Sequence, residues 1–232
     1  MSMQLTREEL ACMIDHTLLR PEATRDDIRR LCREAVENGF GAVCVNPAYV
    51  PLSAVELGDS GVRVCTVIGF PLGATSVAGK MAEADRAARD GAAEFDVVLN
   101  LGALKEHNLP YLEQELKAVI AAARGVRPDA LIKVILETAL WDDEEKLLGC
   151  RVAVERGADM VKTSTGFGPG GATEADVRLL RGAVGKVIGV KAAGGIRDLD
   201  TALRMAAAGA SRIGTSSGVK IIGEWKRRFQ TG

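Results

Sequence analysis

Short runs rich in valine and isoleucine alternate along the chain with longer runs of alanine, glutamate, arginine and leucine at helical spacing. Strands with few polar positions, separated by helices, are typical of parallel sheets covered on both faces. The strand-like runs lie at residues 41–45, 62–68, 93–99, 131–137, 159–163, 187–191 and 211–215, with a shorter and weaker candidate at 13–17. The pattern predicts an α/β protein in which each strand is followed by a helix.

Capping signals mark the helices between these runs. Thr24, Thr173 and Asp198 each precede a helical pattern, and side chains of these types accept hydrogen bonds at helix N-termini. Gly39 is a suitable C-terminal stop because glycine readily adopts the left-handed conformation. A glycine–alanine pair between helix and strand recurs at 91–92, 157–158 and 209–210. These glycines are expected to end helices and not to bind ligands.

The chain length is compatible with two architectures and favours one of them. Eight strand–helix units in 232 residues give about 29 residues per unit, near the lower end for a (β/α)8 TIM barrel. An open, doubly wound sheet is the alternative, because strand order cannot be read from a sequence. No linker rich in proline, glycine or serine divides the chain. We therefore predict one barrel domain over residues 1–232, with a short N-terminal helix.

Composition excludes several classes of protein. The formal net charge of −1 argues against a generic nucleic-acid-binding surface. There is no secretory signal pattern and no apolar run of about 18 residues, so we expect no membrane association. Five cysteines without a CxxC pair indicate free thiols in a reducing cytoplasm, and two isolated histidines predict no metal site.

The strongest chemical signal is a pair of lysines, Lys162 and Lys191, at the ends of two successive strands. In a barrel, successive strands are adjacent and function concentrates at their C-terminal ends. Burial and a nearby like charge both lower the pKa of an amine, and a neutral buried amine can form a Schiff base. In the alternative interpretation, each lysine pairs with a carboxylate such as Asp96 or Glu137 and has only a structural role.

Acidic side chains form a second set of candidates. Asp96 lies inside the apolar run 93–99, so it requires a partner, and a lysine ammonium would complete a proton relay. A salt bridge that only stabilises the barrel interior is the alternative. Asp15 and Glu137 are candidates for supporting positions behind the reacting groups. Lys133 lies near the start of its strand, so we expect it on the end of the barrel that confers stability.

Glycine-rich turns after the last two strands predict a phosphate site. Barrels frequently bind phosphate at this position, where glycines let backbone amides approach the anion. Serine hydroxyls and one arginine add further donors. The residues concerned are Gly194, Gly195, Arg197, Gly214, Ser216 and Ser217.

Several long motifs occur in an order that resembles the deoxyribose-phosphate aldolase family over essentially the whole chain. They are IDHTLL at 14–19, VCVNP at 43–47, VIGFPLG at 67–73, EFDVVLN at 94–100, VKTSTGF at 161–167, GVKAAGGIR at 189–197 and GTSSG at 214–218. The resemblance implies a class I aldolase that reversibly cleaves 2-deoxy-D-ribose 5-phosphate to D-glyceraldehyde 3-phosphate and acetaldehyde. It implies a role in deoxyribose phosphate catabolism, with neither a metal nor another cofactor.

The resemblance also assigns roles to residues. It implies that Lys162 forms the Schiff base, that Lys191 tunes this amine and joins proton transfer, and that Asp96 donates or accepts a proton. Thr165 in the VKTSTGF motif joins Asp15 and Glu137 in supporting positions. The implied phosphate contacts are Gly166, Gly194, Gly195, Gly214, Ser216 and Ser217.

Two positions depart from the family pattern. Some members have a lysine where this chain has Phe167, so one positive charge is missing near the phosphate. Some members end in a tyrosine that helps to shuttle the proton, whereas this chain ends in FQTG. The source of the final proton is therefore open.

Two other functions remain compatible with the residues alone. One is a sugar-phosphate isomerase or epimerase with Asp96 as the base, and the other is a non-catalytic phosphosugar-binding barrel. The expected partners are a small phosphorylated sugar and aldehydes, with no nucleic acid and no membrane. The sequence leaves open whether the chain forms a homo-oligomer, either a dimer or a tetramer.

Overall fold

The computed structural model describes residues 5–230 and contains a closed barrel of eight parallel strands in the order β1 to β8. The strands are β1 (Ile14–Leu18), β2 (Ala42–Val45), β3 (Arg63–Ile68), β4 (Glu94–Val98), β5 (Leu131–Ile135), β6 (Met160–Lys162), β7 (Gly189–Ala193) and β8 (Arg212–Thr215). Parallel pairing of β1 with β8 closes the barrel. The predicted TIM barrel is confirmed, the open-sheet alternative is wrong, and the weak run at 13–17 corresponds to β1.

Helices surround the barrel, beginning with the predicted short N-terminal helix. They are α1 (Arg7–Cys12), α2 (Arg25–Asn38), α3 (Val50–Leu57), α4 (Val77–Arg89), α5 (Leu101–Lys105), α6 (Leu109–Val126), α7 (Asp143–Glu155), α8 (Glu174–Val184), α9 (Leu199–Ala208) and α10 (Gly218–Phe229). Two short 3-10 helices lie at Pro47–Tyr49 and Thr138–Leu140. None of the helices within residues 5–230 is long and apolar enough to cross a membrane.

The capping residues define helix boundaries as the sequence predicts. The side chain of Thr24 accepts a hydrogen bond from the backbone of Asp27, and Thr173 and Asp198 cap α8 and α9 in the same way. Gly39 ends α2 in the left-handed conformation, with φ of 71°. These local interactions fix where each helix starts, and thereby the length of each loop that reaches the barrel mouth.

The strands are buried on both faces, one packed against the helices and the other inside the barrel. Side chains alternate between the two faces of a strand. Valines such as Val43, Val97 and Val134 belong to the large apolar core that includes the helices. The intervening positions include Cys44 and Asp96, and they are equally buried. The barrel interior is therefore partly ionic, and this ionic interior underlies the candidate site.

Candidate active site

Asp96 on β4 lies at the centre of the barrel interior and is completely buried. Its Oδ2 atom lies 2.7 Å from the Nζ atom of Lys162 and 2.6 Å from that of Lys191. Its Oδ1 atom lies 3.0 Å from the Nζ atom of Lys133. One carboxylate therefore contacts three lysines from three successive strands.

Two further buried carboxylates complete the charged interior. Asp15 on β1 contacts Lys191, and its Oδ1 atom lies 2.6 Å from Nη1 of Arg212. Glu94 on β4 lies 2.6 Å from Nζ of Lys133 and 3.1 Å from Nη2 of Arg212. The exposed Arg63 reaches Glu94 from the rim of the barrel, at 3.6 Å. Every buried carboxylate here has at least two cationic partners, as burial of a charge requires.

We call these seven side chains the interior charge cluster: Asp15, Glu94, Asp96, Lys133, Lys162, Lys191 and Arg212. It holds three acidic and four basic groups, so full ionisation leaves one excess positive charge. Lys162 has one carboxylate partner, whereas Lys191 has two and Lys133 has three. Lys162 is therefore the cation whose loss would cost the cluster the fewest ion pairs.

The electrostatics correct one expectation about the lysine pair. Lys162 and Lys191 occupy paired positions on β6 and β7, as adjacent strands require. Burial disfavours the charged amine of Lys191, but the carboxylates of Asp15 and Asp96 outweigh it and raise its pKa. Lys191 therefore stays protonated, because the attraction of the two carboxylates exceeds both burial and the repulsion from Lys133.

The position of Lys133 was also predicted wrongly. Its amine lies within the interior charge cluster and not at a separate stabilising end of the barrel. Burial opposes its charge, yet Asp96, Cys65, Asp15 and Glu94 together raise its pKa well above the usual value. Burial alone would raise the pKa of Asp96, but Lys133, Lys162 and Lys191 hold it well below its usual value. Lys133 is thus a fixed positive charge beside Asp96.

Cys44, Cys65 and Asp96 also bring potential metal-binding atoms within 4.8 Å of one another. The Nζ atom of Lys133 already lies 3.2 Å from the Cys65 sulfur and 3.0 Å from the Asp96 carboxylate. An ammonium group therefore takes the place that a metal cation would need among these atoms. We assign no metal to this group of side chains.

A cavity of about 310 Å³ opens above the interior charge cluster at the C-terminal ends of the strands. Lys162 lines it, with 3% of its surface exposed, whereas Asp96 and Lys191 lie beneath and are fully buried. A cavity of this size suits a small ligand. A bound ligand would thus meet the Lys162 amine first, with the shared carboxylate directly behind it.

Most of the predicted phosphate-binding residues line the same cavity. They are Gly166, Gly194, Gly195, Arg197, Gly214 and Ser216. Ser217 lies beside the cavity, where it precedes α10 and its N–H donates to Oγ1 of Thr215 at 2.9 Å. Arg197 is exposed and makes no ion pair within residues 5–230, so its guanidinium is available for an anion. This side of the cavity combines glycine turns with a cation that has no ion-pair partner among residues 5–230.

Glu137 and Thr165 lie together behind the loop that follows β6. Glu137 is 2% exposed, has left-handed backbone geometry with φ of 55°, and accepts a hydrogen bond from the Thr165 N–H at 3.2 Å. The Thr165 hydroxyl also donates to this carboxylate and accepts from the Phe167 N–H at 3.0 Å. A Cβ at Gly168 would lie 2.7 Å from the Glu137 carboxyl carbon. Glu137 thus holds the start of this loop through hydrogen bonds and close packing.

Sequence reasoning missed two groups of residues at the site. Glu94 and Arg212 belong to the interior charge cluster, and the two-residue spacing of Glu94 and Asp96 on one strand was an available signal. Thr17 near the C-terminal end of β1 and Arg20 just after this strand also line the cavity. The run at 13–17 is the weakest strand pattern in the sequence, so no signal marks its C-terminal end as part of the cavity.

A model of the DeoC/LacD family aldolases matches residues 10–223. The chain belongs to this aldolase family. A curated deoxyribose-phosphate aldolase from Caldanaerobacter subterraneus subsp. tengcongensis is 52% identical, covering 94% of each chain. A second from Carboxydothermus hydrogenoformans is 55% identical, covering 92% of this chain and 94% of its own length.

Solved structures agree with these sequence relationships. A tetrameric deoxyribose phosphate aldolase from Aeropyrum pernix has a TM-score of 0.88 at 39% identity, with 95% of this chain and 92% of that chain covered. Membership of an aldolase family favours the aldolase interpretation over an isomerase or a non-catalytic binding barrel.

Proposed function

We propose that the protein is a class I deoxyribose-phosphate aldolase that converts 2-deoxy-D-ribose 5-phosphate into D-glyceraldehyde 3-phosphate and acetaldehyde. The observation that carries this proposal is the position of Lys162. Lys162 lines the cavity, and its amine shares one oxygen of Asp96 with Lys191. Family membership and about 50–55% identity to curated aldolases support the same activity.

Schiff-base formation begins at this amine. Transfer of one proton out of the interior charge cluster gives three cations against three carboxylates, and Lys162 becomes a neutral nucleophile. It attacks C1 of the open-chain sugar, and loss of water with return of the transferred proton gives a protonated imine. Lys191 and Lys133 keep their charge beside Asp96, because the neighbouring carboxylates raise the pKa values of both lysines.

Carbon–carbon cleavage follows from the imine. Removal of the proton from the C3 hydroxyl breaks the C2–C3 bond, and the electron pair moves into the iminium group to form an enamine. D-Glyceraldehyde 3-phosphate leaves, C2 takes up a proton, and hydrolysis releases acetaldehyde and the free amine. We assign the proton transfers to Asp96 and Lys191, which lie within hydrogen-bonding distance of each other.

The phosphate is proposed to bind the glycine turns after β6, β7 and β8. Gly166, Gly194, Gly195 and Gly214 place their backbones at the cavity. The hydroxyls of Ser216 and Ser217 and the guanidinium of Arg197 are the proposed side-chain donors. Asp15, Glu137 and Thr165 are proposed to hold reacting groups and loops in position.

Trapping with borohydride tests the nucleophile directly. Acetaldehyde and sodium borohydride should convert one lysine to N-ethyl-lysine, and peptide mass spectrometry should place it at Lys162. Lys162→Ala should abolish trapping and nearly all cleavage of 2-deoxy-D-ribose 5-phosphate. Modification of a different lysine, or cleavage that persists after borohydride treatment, would contradict the mechanism.

Three broader proposals accompany this activity. We propose that residues 1–232 act as one domain and that the protein works in the cytoplasm, which its five free cysteines favour. We also propose a homo-oligomer, either a dimer or a tetramer. The solved aldolase from Aeropyrum pernix is described as tetrameric. Sedimentation equilibrium of the purified chain measures the oligomeric state.

A further inference from the structure

His16 is a buried side chain that lies outside the interior charge cluster. It stands on β1 between Asp15, which belongs to that cluster, and Thr17, which lines the cavity. Because side chains alternate between the two faces of a strand, His16 points outward, toward the helices. Only 3% of His16 is exposed, and its ring packs against Phe40 with centroids 5.1 Å apart. The proposed reaction steps do not involve this imidazole.

Glu34 on α2 fixes the orientation of the imidazole. Its Oε2 atom lies 2.7 Å from Nε2 of His16. We assign the ring hydrogen to Nε2, because an ionised carboxylate only accepts hydrogen bonds, and Nδ1 of the neutral ring then carries the lone pair. This Nδ1 atom is buried and has no hydrogen-bond partner among residues 5–230. Buried polar atoms are nearly always hydrogen-bonded, so the unpaired nitrogen calls for an explanation.

The unpaired nitrogen faces Gly218, the first residue of α10. A Cβ at Gly218 would lie 3.1 Å from Nδ1 and 3.0 Å from two ring carbons of Phe40, so the helix docks closely on both rings. The first N–H groups of a helix have no partner inside it and form its positive end. The side chain of Ser217 does not cap them within the described part of the chain. The lone pair of Nδ1 therefore lies beside an electropositive helix end and stabilises the docked position.

The same end of α10 is joined to the proposed phosphate turn at residues 214–217, part of which lines the cavity. Thr215 in this turn pairs in register with His16, across the contact between β8 and β1. Its Oγ1 atom accepts a hydrogen bond from the Ser217 N–H at 2.9 Å. The turn thus lies between the barrel wall and the helix end that docks on His16. The depth of that docking decides where the hydrogen-bond donors of the turn stand at the cavity.

We propose that His16, oriented by Glu34, is a positioning residue that sets the place of the phosphate turn and thereby the affinity for phosphorylated substrates. This inference rests on the proposed function. Because His16 points away from the cavity, it acts only through Gly218 and the turn. Loss of its orientation should weaken phosphate binding and leave the chemistry at Lys162 unchanged.

Competition by inorganic phosphate tests this role. Phosphate should compete with 2-deoxy-D-ribose 5-phosphate, and its inhibition constant measures the affinity of the turn for the anion. Glu34→Ala removes the acceptor that orients the ring, so we expect the inhibition constant to rise about fivefold. His16→Phe keeps an aromatic ring beside Phe40 but removes both nitrogens, and the constant should rise about tenfold. KM for 2-deoxy-D-ribose 5-phosphate should rise by the same factors, with kcat changed by less than about twofold.

Two variants on α2 serve as matched controls. Glu34→Gln keeps an acceptor oxygen for the Nε2–H group and should stay within about twofold of the wild-type inhibition constant. Glu37 is exposed about one turn further along the same helix, and Glu37→Ala should leave the constant unchanged. The side chain of Glu34 is itself 33% exposed, so these replacements leave the core of the barrel intact.

Cleavage of unphosphorylated 2-deoxy-D-ribose separates positioning from general damage, because this sugar makes no use of the phosphate turn. Its kcat/KM should stay within about twofold of the wild-type value in every variant. Equal losses of kcat/KM with the phosphorylated and the unphosphorylated sugar would indicate a general loss of structure and would overturn the positioning role.

The remaining outcomes separate this inference from the proposed function. An unchanged inhibition constant in either Glu34→Ala or His16→Phe would overturn the positioning role alone. A wild type that cleaves 2-deoxy-D-ribose 5-phosphate but is not inhibited by phosphate would overturn the phosphate site and the positioning role together. Absence of cleavage in the wild type would instead overturn the aldolase assignment.

Discussion

At the scale of single residues, the site is organised by one carboxylate that three amines share. Asp96 contacts Lys133, Lys162 and Lys191, and its pKa is held well below the usual value by these lysines against the effect of burial. Its charge therefore persists at neutral pH. A shared anion next to the nucleophile can accept a proton from one group and return it to another without moving far.

Replacement of Asp96 by asparagine separates proton transfer from folding. Asp96→Asn should lower kcat for cleavage by about 100-fold or more, the range expected for loss of a general acid–base group. Glu94→Gln is the matched control. Glu94 is also buried on β4 and bonded to a lysine, but it does not contact Lys162. Glu94→Gln should lower kcat by less than about tenfold. Both variants should lower the free energy of unfolding by about 3–5 kcal/mol.

Steady-state kinetics and urea unfolding of the same two samples make this comparison. Equal losses of kcat in Asp96→Asn and Glu94→Gln would show that the effect is general to buried carboxylates. The assignment of proton transfer to Asp96 would then be wrong.

At the scale of structural elements, the loop after β6 depends on a side chain from the end of β5. The Glu137 carboxylate accepts hydrogen bonds from Thr165, and Gly168 packs against it. The loop includes Gly166 and Phe167, which line the cavity. Glu137 therefore acts on the substrate through the loop and not by direct contact, so we class it as a positioning residue.

Glu137→Ala should loosen this loop. We expect KM for 2-deoxy-D-ribose 5-phosphate to rise about tenfold, since one buried acceptor of several hydrogen bonds is lost, with kcat changed by less than about threefold. Glu137→Gln keeps one acceptor oxygen and should recover most of the affinity. Initial-rate kinetics over a substrate range measure both constants. A fall in kcat at constant KM, unrelieved by glutamine, would contradict a positioning role.

The sequence predicted the elements well, but most contacts between side chains of different strands could not be predicted from it. Capping by Thr24 and Thr173 and the apolar strand runs are local signals, so helix boundaries and strand number follow from neighbouring residues. The partners of Lys133 are not local. Lys133 pairs in register with Asp96 on β4, and its amine also reaches Glu94 on β4 and Asp15 on β1. Such contacts depend on which strands lie side by side and on closure of the whole sheet.

At the scale of the whole molecule, the interior charge cluster joins β1, β4, β5, β6, β7 and β8 through buried ion pairs. Most barrels of this kind fill their interior with branched apolar side chains. Here the stability of the barrel and the charges needed for catalysis depend on the same groups. The free energy of unfolding should therefore vary with pH, and this dependence should report the ionisation of the site residues.

The signs of the pKa shifts define the expected pH range. The pKa of Asp15 and that of Asp96 are lowered from 3.8 by their lysine and arginine partners, against the effect of burial. Their contribution to stability is complete above the unfolded-state pKa and is lost as the pH falls toward the folded-state values. The pKa values of Lys133 and Lys191 are raised from 10.5, so their contribution is lost only in more alkaline solution. The contribution of these four groups to stability should be constant between about pH 4 and pH 10.

Asp15→Asn isolates one of these groups on the acidic side. Below pH 4 each lowered carboxylate makes the unfolding free energy fall by about 1.4 kcal/mol per pH unit, because the unfolded chain binds one more proton. The variant should therefore show a shallower acidic slope than the wild type by about this amount. Urea unfolding followed by circular dichroism, in about 1 M KCl to screen surface ion pairs, measures the slope. Identical slopes in the two proteins would mean that Asp15 does not remain charged in the folded barrel.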